Sequence, residues 1–243
     1  MSKYNYNEKF FKIIDNEKKA YWLGFLYADG CITRFYRNDK LKSMSLELTL
    51  QESDKEHVAK FLNSLESNVP IQNKRVGKYK CSRVVINCTN MCRDLVNLGC
   101  TPKKSLTLTF PSIDILPDKY INHFIRGYFD GDGCVHYSEH ICYNSQRGKH
   151  YEQSTFVCSI VGTNDFLNKI KDILFANGIT SGKITQKEGQ QSFELRIYGR
   201  DNLKKYYNYI YHDANIYMNR KNEKFKYAFK QLKIEDLKMD SPV

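Results

Sequence analysis

The chain has 243 residues, enough for one large or two modest hydrophobic cores, and its 41% hydrophobic and 27% charged content lies near globular averages. These values exclude a wholly disordered chain. Its 38 Lys and Arg residues against 27 Asp and Glu give a formal net charge of +11, which favours a polyanionic partner such as nucleic acid or an anionic membrane surface.

The start of the chain, MSKYNYNEKFFKII, lacks the apolar run of a signal peptide, and no segment approaches the roughly 18–20 apolar residues of a membrane span. We therefore expect a soluble, intracellular protein with no membrane partner. The eight cysteines are scattered and form no CxxC pair, so we expect reduced thiols and not a disulfide framework.

One segment of the chain occurs twice. WLGFLYADGC (Trp22–Cys31) matches IRGYFDGDGC (Ile125–Cys134) about a hundred residues further on. Each copy precedes strand-like alternation, then helical periodicity, then a second round of both. The pattern predicts an α+β fold of two αββαββα repeats with antiparallel sheets. Three of the five prolines lie between 101 and 120, so we predict an N-terminal half (1–110), a linker (111–120) and a C-terminal half (121–243).

The repeated segments are predicted to be helices that pack closely. Gly24 and Ala28 are four residues apart, as are Gly127 and Gly131, so each helix carries a stripe of small side chains along one face. Such faces allow two backbones to approach each other. We expect the glycines after the motif aspartates, at positions 30 and 133, to end the helices as left-handed caps.

The last residue before each predicted cap is an aspartate, Asp29 or Asp132. The helix C-terminus disfavours a carboxylate by roughly 0.3–1 kcal/mol, and parallel helices would also bring the two anions together. A divalent cation would stabilise such a pair, and hard oxygen ligands suit Mg²⁺. Next to DNA, such a cation would polarise the scissile phosphate and neutralise the leaving oxygen. A single Asp-Gly usually only ends a helix, but two matched copies in a basic chain favour the metal site.

These residues resemble the LAGLIDADG homing endonuclease family in its single-chain form with two motifs. The resemblance implies a saddle of two antiparallel sheets along the DNA major groove, with the motif helices at the central pseudo-twofold interface. It implies metal-binding carboxylates at Asp29 and Asp132, assisted by the main-chain carbonyls of Ala28 and Gly131. The cofactor would be Mg²⁺, with Mn²⁺ or Ca²⁺ able to substitute in the site. The implied activity is cleavage of both strands of a long, asymmetric DNA target by a monomer, leaving 3′ overhangs, in an enzyme encoded by a mobile intron or intein.

One motif position departs from the family pattern. Tyr27 stands where the motif usually has an acid, whereas the second copy has Asp130 there. Because this position lies two residues before the metal-binding aspartate, its side chain is expected to point elsewhere on the helix. Tyr27 is therefore not counted as a catalytic defect.

The family often places a basic residue from each half near the metal site, where it can stabilise charge developing on the phosphate. By this resemblance Lys104 and Lys221 occupy corresponding places and are assigned as catalytic. Their neighbours Lys103 and Arg220 are the alternatives, and a contact to backbone phosphates is the alternative role.

Polar, basic and amide side chains at alternate strand positions are the candidates for reading DNA, because the other face of each sheet should pack on helices. In the first half they are Arg34, Arg37, Lys42, Glu47, Lys74, Arg75, Lys78, Lys80 and Arg83. In the second half they are His140, Gln146, Arg147, Lys149, Lys183, Gln186, Lys187, Gln191 and Arg196. The sequence does not separate base contacts from phosphate contacts.

Two other functions use the same features. A maturase, which binds intron RNA and assists splicing, can share this scaffold without cutting DNA, so intron RNA is a second candidate partner. A DNA-binding regulator built on a degenerate nuclease would bind without turnover. Aspartates in both motifs favour the endonuclease.

Overall fold

A computed structural model describes residues 3–212 and 214–234. The first half contains α1 (Glu17–Asp29), β1 (Gly30–Arg37), β2 (Lys40–Gln51), α2 (Lys55–Ser64), β3 (Gln72–Val76), β4 (Tyr79–Ile86) and α3 (Thr89–Asn97). The second half contains α4 (Ile121–Asp132), β5 (Gly133–Asn144), β6 (Lys149–Gly162), α5 (Asn164–Ala176), β7 (Thr185–Gln186), β8 (Phe193–Tyr198), α6 (Arg200–Tyr211) and α7 (Asn219–Gln231). The αββαββα repeat is confirmed in both halves, and α7 is an addition that the sequence did not predict.

The strands of each half form one antiparallel four-stranded sheet. The strand orders, β1-β2-β4-β3 and β5-β6-β8-β7, are the same in the two halves. The register is also equivalent, because Gly30 lies opposite Leu48 in the first sheet and Gly133 lies opposite Ile160 in the second. The predicted α+β class with two antiparallel sheets is confirmed.

Each sheet buries one face. In β2, Met44, Leu46, Leu48 and Leu50 are buried at every second position, as the period of a half-buried strand requires. Helices α1, α2 and α3 pack on the first sheet, and α5, α6 and α7 pack on the second. The side chains between the buried ones, such as Glu47 in β2 and Arg196 in β8, are half-buried or exposed, and the face on which they lie is called the open face of each sheet.

The chain divides into two compact units. One runs to Asp132 and includes Asn215–Met218, and the other comprises Gly133–Ala214 and the chain from Asn219 onward. Helix α4 thus belongs with α1 in the first unit, although the sequence repeat assigns it to the second half. The reason is the packing of the two motif helices on each other.

Candidate active site and nucleic-acid interface

Helices α1 and α4 pack side by side in parallel. A Cβ on Gly24 would lie 2.0 Å from the carbonyl oxygen of Phe124, and a Cβ on Gly127 would lie 1.9 Å from that of Tyr21. Further along, a Cβ on Gly131 would lie 2.3 Å from the Cβ of Ala28. Residue numbers rise together along this contact, so the helices run in the same direction. The close approach predicted from the small-residue stripes is confirmed.

The parallel packing brings the two motif aspartates to the same end of the helix pair. Asp29 is the last residue of α1 and Asp132 the last of α4. A Cβ on Gly131 would lie 3.2 Å from Oδ2 of Asp29, so the Asp29 carboxylate lies against the final turn of α4. Burial of Tyr128 and the nearby charges of Asp132 and Asp29 raise the pKa of the Tyr128 hydroxyl, which hydrogen-bonds to Asp132. Both carboxylates therefore lie near the Tyr128 hydroxyl.

The glycines that follow these aspartates do not have the left-handed conformation that we predicted. Gly30 has φ −72° and ψ 139°, an extended conformation. Gly133 is not among the residues with positive φ and begins β5. The helices pass directly into strands, so no reversing cap is needed. Position 30 requires glycine for space, because a Cβ there would lie 2.6 Å from the carbonyl oxygen of Leu26.

Lys104 and Lys221 make the same contact in their respective halves. The Lys104 Nζ donates a hydrogen bond to the carbonyl oxygen of Gly30, and the Lys221 Nζ donates one of 2.6 Å to that of Gly133. Each lysine thus binds the residue that directly follows a motif aspartate. Lys104 and Lys221 are only 7% and 3% exposed, which is rare for lysine. Lys103 and Arg220 are exposed.

The two residues at the departing motif position point away from the aspartate pair. The Tyr27 hydroxyl donates to the carbonyl oxygen of Leu98, and a Cβ on Gly99 would collide with it. Asp130 is fully buried and accepts hydrogen bonds from the Tyr21 hydroxyl (2.8 Å) and the Met218 amide (2.7 Å). The inference that Tyr27 points elsewhere on the helix is confirmed.

Asp130 belongs to a buried polar cluster that sequence reasoning missed. The cluster ties residues 215–218 to the motif helices. Arg126, 1% exposed, donates to the carbonyl oxygen of Ile216 (2.9 Å) and to Glu17 (2.6 Å), and Glu17 also accepts from the Asn215 amide (2.9 Å). Helix α7, which carries Lys221, begins one residue after this segment. Two features of the sequence could have indicated this cluster: Glu17 in the first turn of α1, and Arg126 next to the apolar residue Ile125 in the second motif.

In the first sheet, the predicted DNA-contacting residues lie on both faces. Strand alternation places Lys74 and Arg83 on the open face. Arg34, which pairs with buried Met44, and Lys80, two residues from buried Ser82, lie on the helix-packed face. The remaining candidates of this half have the following positions: Arg37 and Lys42 near the β1–β2 turn, Arg75 in β3 opposite Lys80, and Lys78 in the β3–β4 turn.

Glu47 holds the open-face arginine of the first sheet. Arg83 Nε and Nη2 donate to the two Glu47 carboxylate oxygens at 2.7 and 2.6 Å, and Lys74 Nζ lies 3.9 Å from Oε1. The hydrogen bond from Arg83 lowers the pKa of Glu47. The open face thus presents a fixed arginine and not a freely rotating one.

In the second sheet, strand alternation places His140, Lys149 and Arg196 on the open face, with Arg196 opposite Ser159. Arg196 Nε donates to Glu194 at 2.7 Å. The other candidates lie in turns, in loops or on the short β7 strand: Gln146, Arg147, Lys183, Gln186, Lys187 and Gln191. Across both sheets the candidates are exposed, apart from half-buried Glu47, Arg83 and Lys187.

Two features are absent from the described residues. No group of three or more His, Cys, Asp or Glu is arranged to hold a metal ion in that part of the chain. Across residues 3–212 and 214–234, no helix combines the length and the apolar character needed to cross a bilayer.

Comparisons with known proteins show a domain match in the second half of the chain and a shared fold over most of its length. Residues 119–211 match the LAGLIDADG-like domain. The fold of the chain is similar to that of the meganuclease I-AabMI bound to uncleaved DNA (TM-score 0.60, 13% identity, 90% of this chain and 92% of that chain). It is equally similar to the homing endonuclease I-LtrWI bound to target DNA (TM-score 0.60, 10% identity, 94% and 92%). A further structure, I-SmaMI with uncleaved DNA and calcium ions, has a TM-score of 0.54 at 11% identity over 91% of this chain and 93% of that chain.

Residues 119–211 thus match a LAGLIDADG-like domain, and the chain has the fold of solved LAGLIDADG homing endonucleases, as its two sequence motifs predicted. One curated relative, a probable translation initiation factor IF-2 from Methanocaldococcus jannaschii, is 27% identical over 230 residues, or 86% of this chain. The chain spans only 17% of the length of that protein.

Proposed function

We propose that this protein is a site-specific DNA endonuclease that cuts both strands of a long, asymmetric target by Mg²⁺-dependent hydrolysis and leaves 3′ overhangs. The observation that carries the proposal is the pair of carboxylates, Asp29 and Asp132, at the same end of two parallel helices. The protein would act as a monomer, because both halves of the site lie in one chain. Intron or intein homing is the biological setting that we propose for it.

The donor set fits Mg²⁺. Asp29 and Asp132 offer hard carboxylate oxygens, and the carbonyls of Ala28 and Gly131 stand one residue before them. Mg²⁺ is bound through one or two carboxylates and completes its shell with waters and substrate phosphates. When bound, it supplies Lewis-acid polarisation of the scissile phosphate. The protein contributes a fixed separation of the two carboxylates, since the helix backbones are in contact at Gly24 and Gly127.

Lys104 and Lys221 are proposed to stabilise the negative charge that develops on the phosphate, one lysine for each strand. A lysine ammonium has three N–H donors, and in each case one of them goes to a glycine carbonyl oxygen. That bond fixes the position of the lysine ammonium group before substrate binds. Buried, fixed donors stabilise a developing charge more strongly than solvated ones.

DNA recognition is assigned to the open sheet faces and the adjoining turns. Arg83 and Lys74 in the first sheet, and Arg196, His140 and Lys149 in the second, are the proposed direct contacts. Beside its two bonds to Glu47, Arg83 keeps the donors of Nη1 and the second donor of Nη2, and two such donors suit the O6 and N7 edge of guanine. The net charge of +11 supports binding to the phosphate backbone.

The test begins with finding the target. Randomised duplex DNA is selected for binding, and the uninterrupted junction of the DNA that flanks the coding region is examined in parallel. Selected DNA is then incubated with Mg²⁺, and both strands are mapped. We expect a double-strand cut with 3′ overhangs. Asp29→Asn and Asp132→Asn should each abolish cutting of one or both strands while DNA binding persists, and Asp172→Asn, an exposed carboxylate of α5, should cut normally.

The lysines are tested in the same assay. Lys104→Met and Lys221→Met keep the apolar stem and remove the charge, and each should slow one strand by about 100-fold, the effect of losing one such donor. Binding without cleavage by the wild-type protein would contradict the proposal. If the protein binds and helps to splice intron RNA after loss of both aspartates, and cuts no DNA, then the maturase function is correct instead.

A further inference from the structure

The two motif helices differ at the position four residues before each aspartate. Gly24, Ala28 and Asp29 of α1 correspond to Gly127, Gly131 and Asp132 of α4. Four residues before the aspartate, however, α1 has Phe25 and α4 has Tyr128. The halves therefore differ by one hydroxyl group at this position.

That hydroxyl group faces the carboxylates. Residues four apart lie on the same side of a helix, so Tyr128 can reach Asp132. The Tyr128 side chain is 1% exposed, its hydroxyl hydrogen-bonds to Asp132, and it also experiences the charge of Asp29. Phe25, fully buried at the equivalent place in α1, has no group to donate.

An ionised carboxylate only accepts hydrogen bonds, so the tyrosine hydroxyl is the donor in this pair. The bond restrains the rotation of the Asp132 carboxylate, which lies at the exposed end of the helix. Residues that hydrogen-bond to a metal-ligating side chain fix its orientation, and their loss weakens metal affinity or activity by about 10–100-fold.

We propose that Tyr128 is a positioning residue that orients the Asp132 carboxylate for the cation, and that its absence from α1 makes the two strand-cutting centres unequal. This inference rests on the endonuclease function proposed above. The structural alternative is that Asp132 only accepts a bond from a buried hydroxyl, with no effect on cation binding.

The variant Tyr128→Phe gives α4 the same side chain that α1 has at the equivalent position, Phe25. The control is Tyr206→Phe, which removes one hydroxyl from a fully buried tyrosine of the second unit. Each strand of the target is labelled separately and cut at limiting Mg²⁺. We expect Tyr128→Phe to slow one strand about tenfold more than the other, so that nicked DNA accumulates. Tyr206→Phe should keep the strand ratio of the wild type.

Calorimetry gives a readout independent of cleavage. Ca²⁺ is titrated into the complex of each protein with target DNA under conditions without cutting. Tyr128→Phe should weaken Ca²⁺ binding at one site about tenfold, with thermal unfolding recorded to show that the variant is folded. The wild type provides a measurement that needs no variant: its two strands should have different half-saturating Mg²⁺ concentrations.

The outcomes separate the two proposals. An unchanged strand ratio and unchanged Ca²⁺ affinity in Tyr128→Phe, or equal Mg²⁺ dependence of the two strands in the wild type, would overturn the positioning role and leave the endonuclease function intact. If the wild type binds target DNA and Ca²⁺ but cuts neither strand, the endonuclease function is wrong, and the calorimetric comparison still decides whether Tyr128 orients Asp132. If both strands slow equally and stability falls, the role of Tyr128 is structural.

Discussion

The last turns of α1 and α4 have room for one methyl group between them. Ala28 supplies that methyl, and a Cβ on Gly131 would lie 2.3 Å from it, whereas methyl carbons make ordinary contact at about 3.5–4 Å. Gly131→Ala must therefore push the helices apart by more than about 1 Å at this point. Overpacking of this kind costs about 1–3 kcal/mol, offset by roughly 0.5–1 kcal/mol because alanine favours the helix.

We expect Gly131→Ala to lower the free energy of unfolding by about 1–2 kcal/mol, or roughly 2–4 °C in Tm for each kcal/mol in a chain of this size. The combined variant Ala28→Gly/Gly131→Ala moves the methyl from one helix to the other. The new Cβ would then have Asp29 Oδ2 at 3.2 Å and the Cα of residue 28 at 3.6 Å as neighbours, so stability should recover.

Urea unfolding of the wild type, both single variants and the double variant completes the cycle. The expected coupling between the two positions is favourable and at least about 1 kcal/mol, the size found for residues in direct contact. If Gly131→Ala leaves stability unchanged, or if the two single effects simply add, then the helices do not meet in this register. The placement of the two aspartates at a common end would then lose its basis.

Three further predictions concern other contacts. Glu17→Gln removes the ionised partner of buried Arg126, so the free energy of unfolding measured in urea should fall by about 3–5 kcal/mol. A loss below about 1 kcal/mol would show that the stability of the protein does not depend on this ion pair. Arg83 lowers the pKa of Glu47 in the folded state, so this pair contributes stability above the unfolded pKa of Glu47, and the contribution is lost as pH falls through the lower folded pKa. Glu47→Gln should therefore reduce Tm at neutral pH by an amount equivalent to about 1 kcal/mol or less. The same variant should have a smaller effect in acid. Tyr27→Phe leaves a buried carbonyl without this donor and should cost about 1–3 kcal/mol of stability in thermal unfolding, while DNA cleavage at a temperature where the variant is folded should match the wild type.

The parts of the fold predicted from the sequence depend on local spacing. Alternation of apolar residues in β2 and the glycine stripes of the motif helices are repeated patterns, and each pattern has one favoured geometry. The conformation of Gly30 was predicted wrongly because Asp-Gly commonly ends a helix with a left-handed residue. Nothing in that dipeptide indicates that the chain continues directly into a strand. The sequence also did not indicate that Arg34 and Lys80 lie on the helix-packed face of the first sheet, since the face depends on strand register.

The sequence by itself determined that the chain has two equivalent halves, that its motif helices can approach closely, and that an aspartate ends each helix. These are properties of residue type and spacing within short segments. Only the tertiary structure decided that Asp130 binds the Met218 amide, 88 residues away, and that Lys104 and Lys221 bind carbonyls 74 and 88 residues away. Such contacts form when folding brings distant segments together, and many lysines along the chain would have satisfied the same sequence pattern.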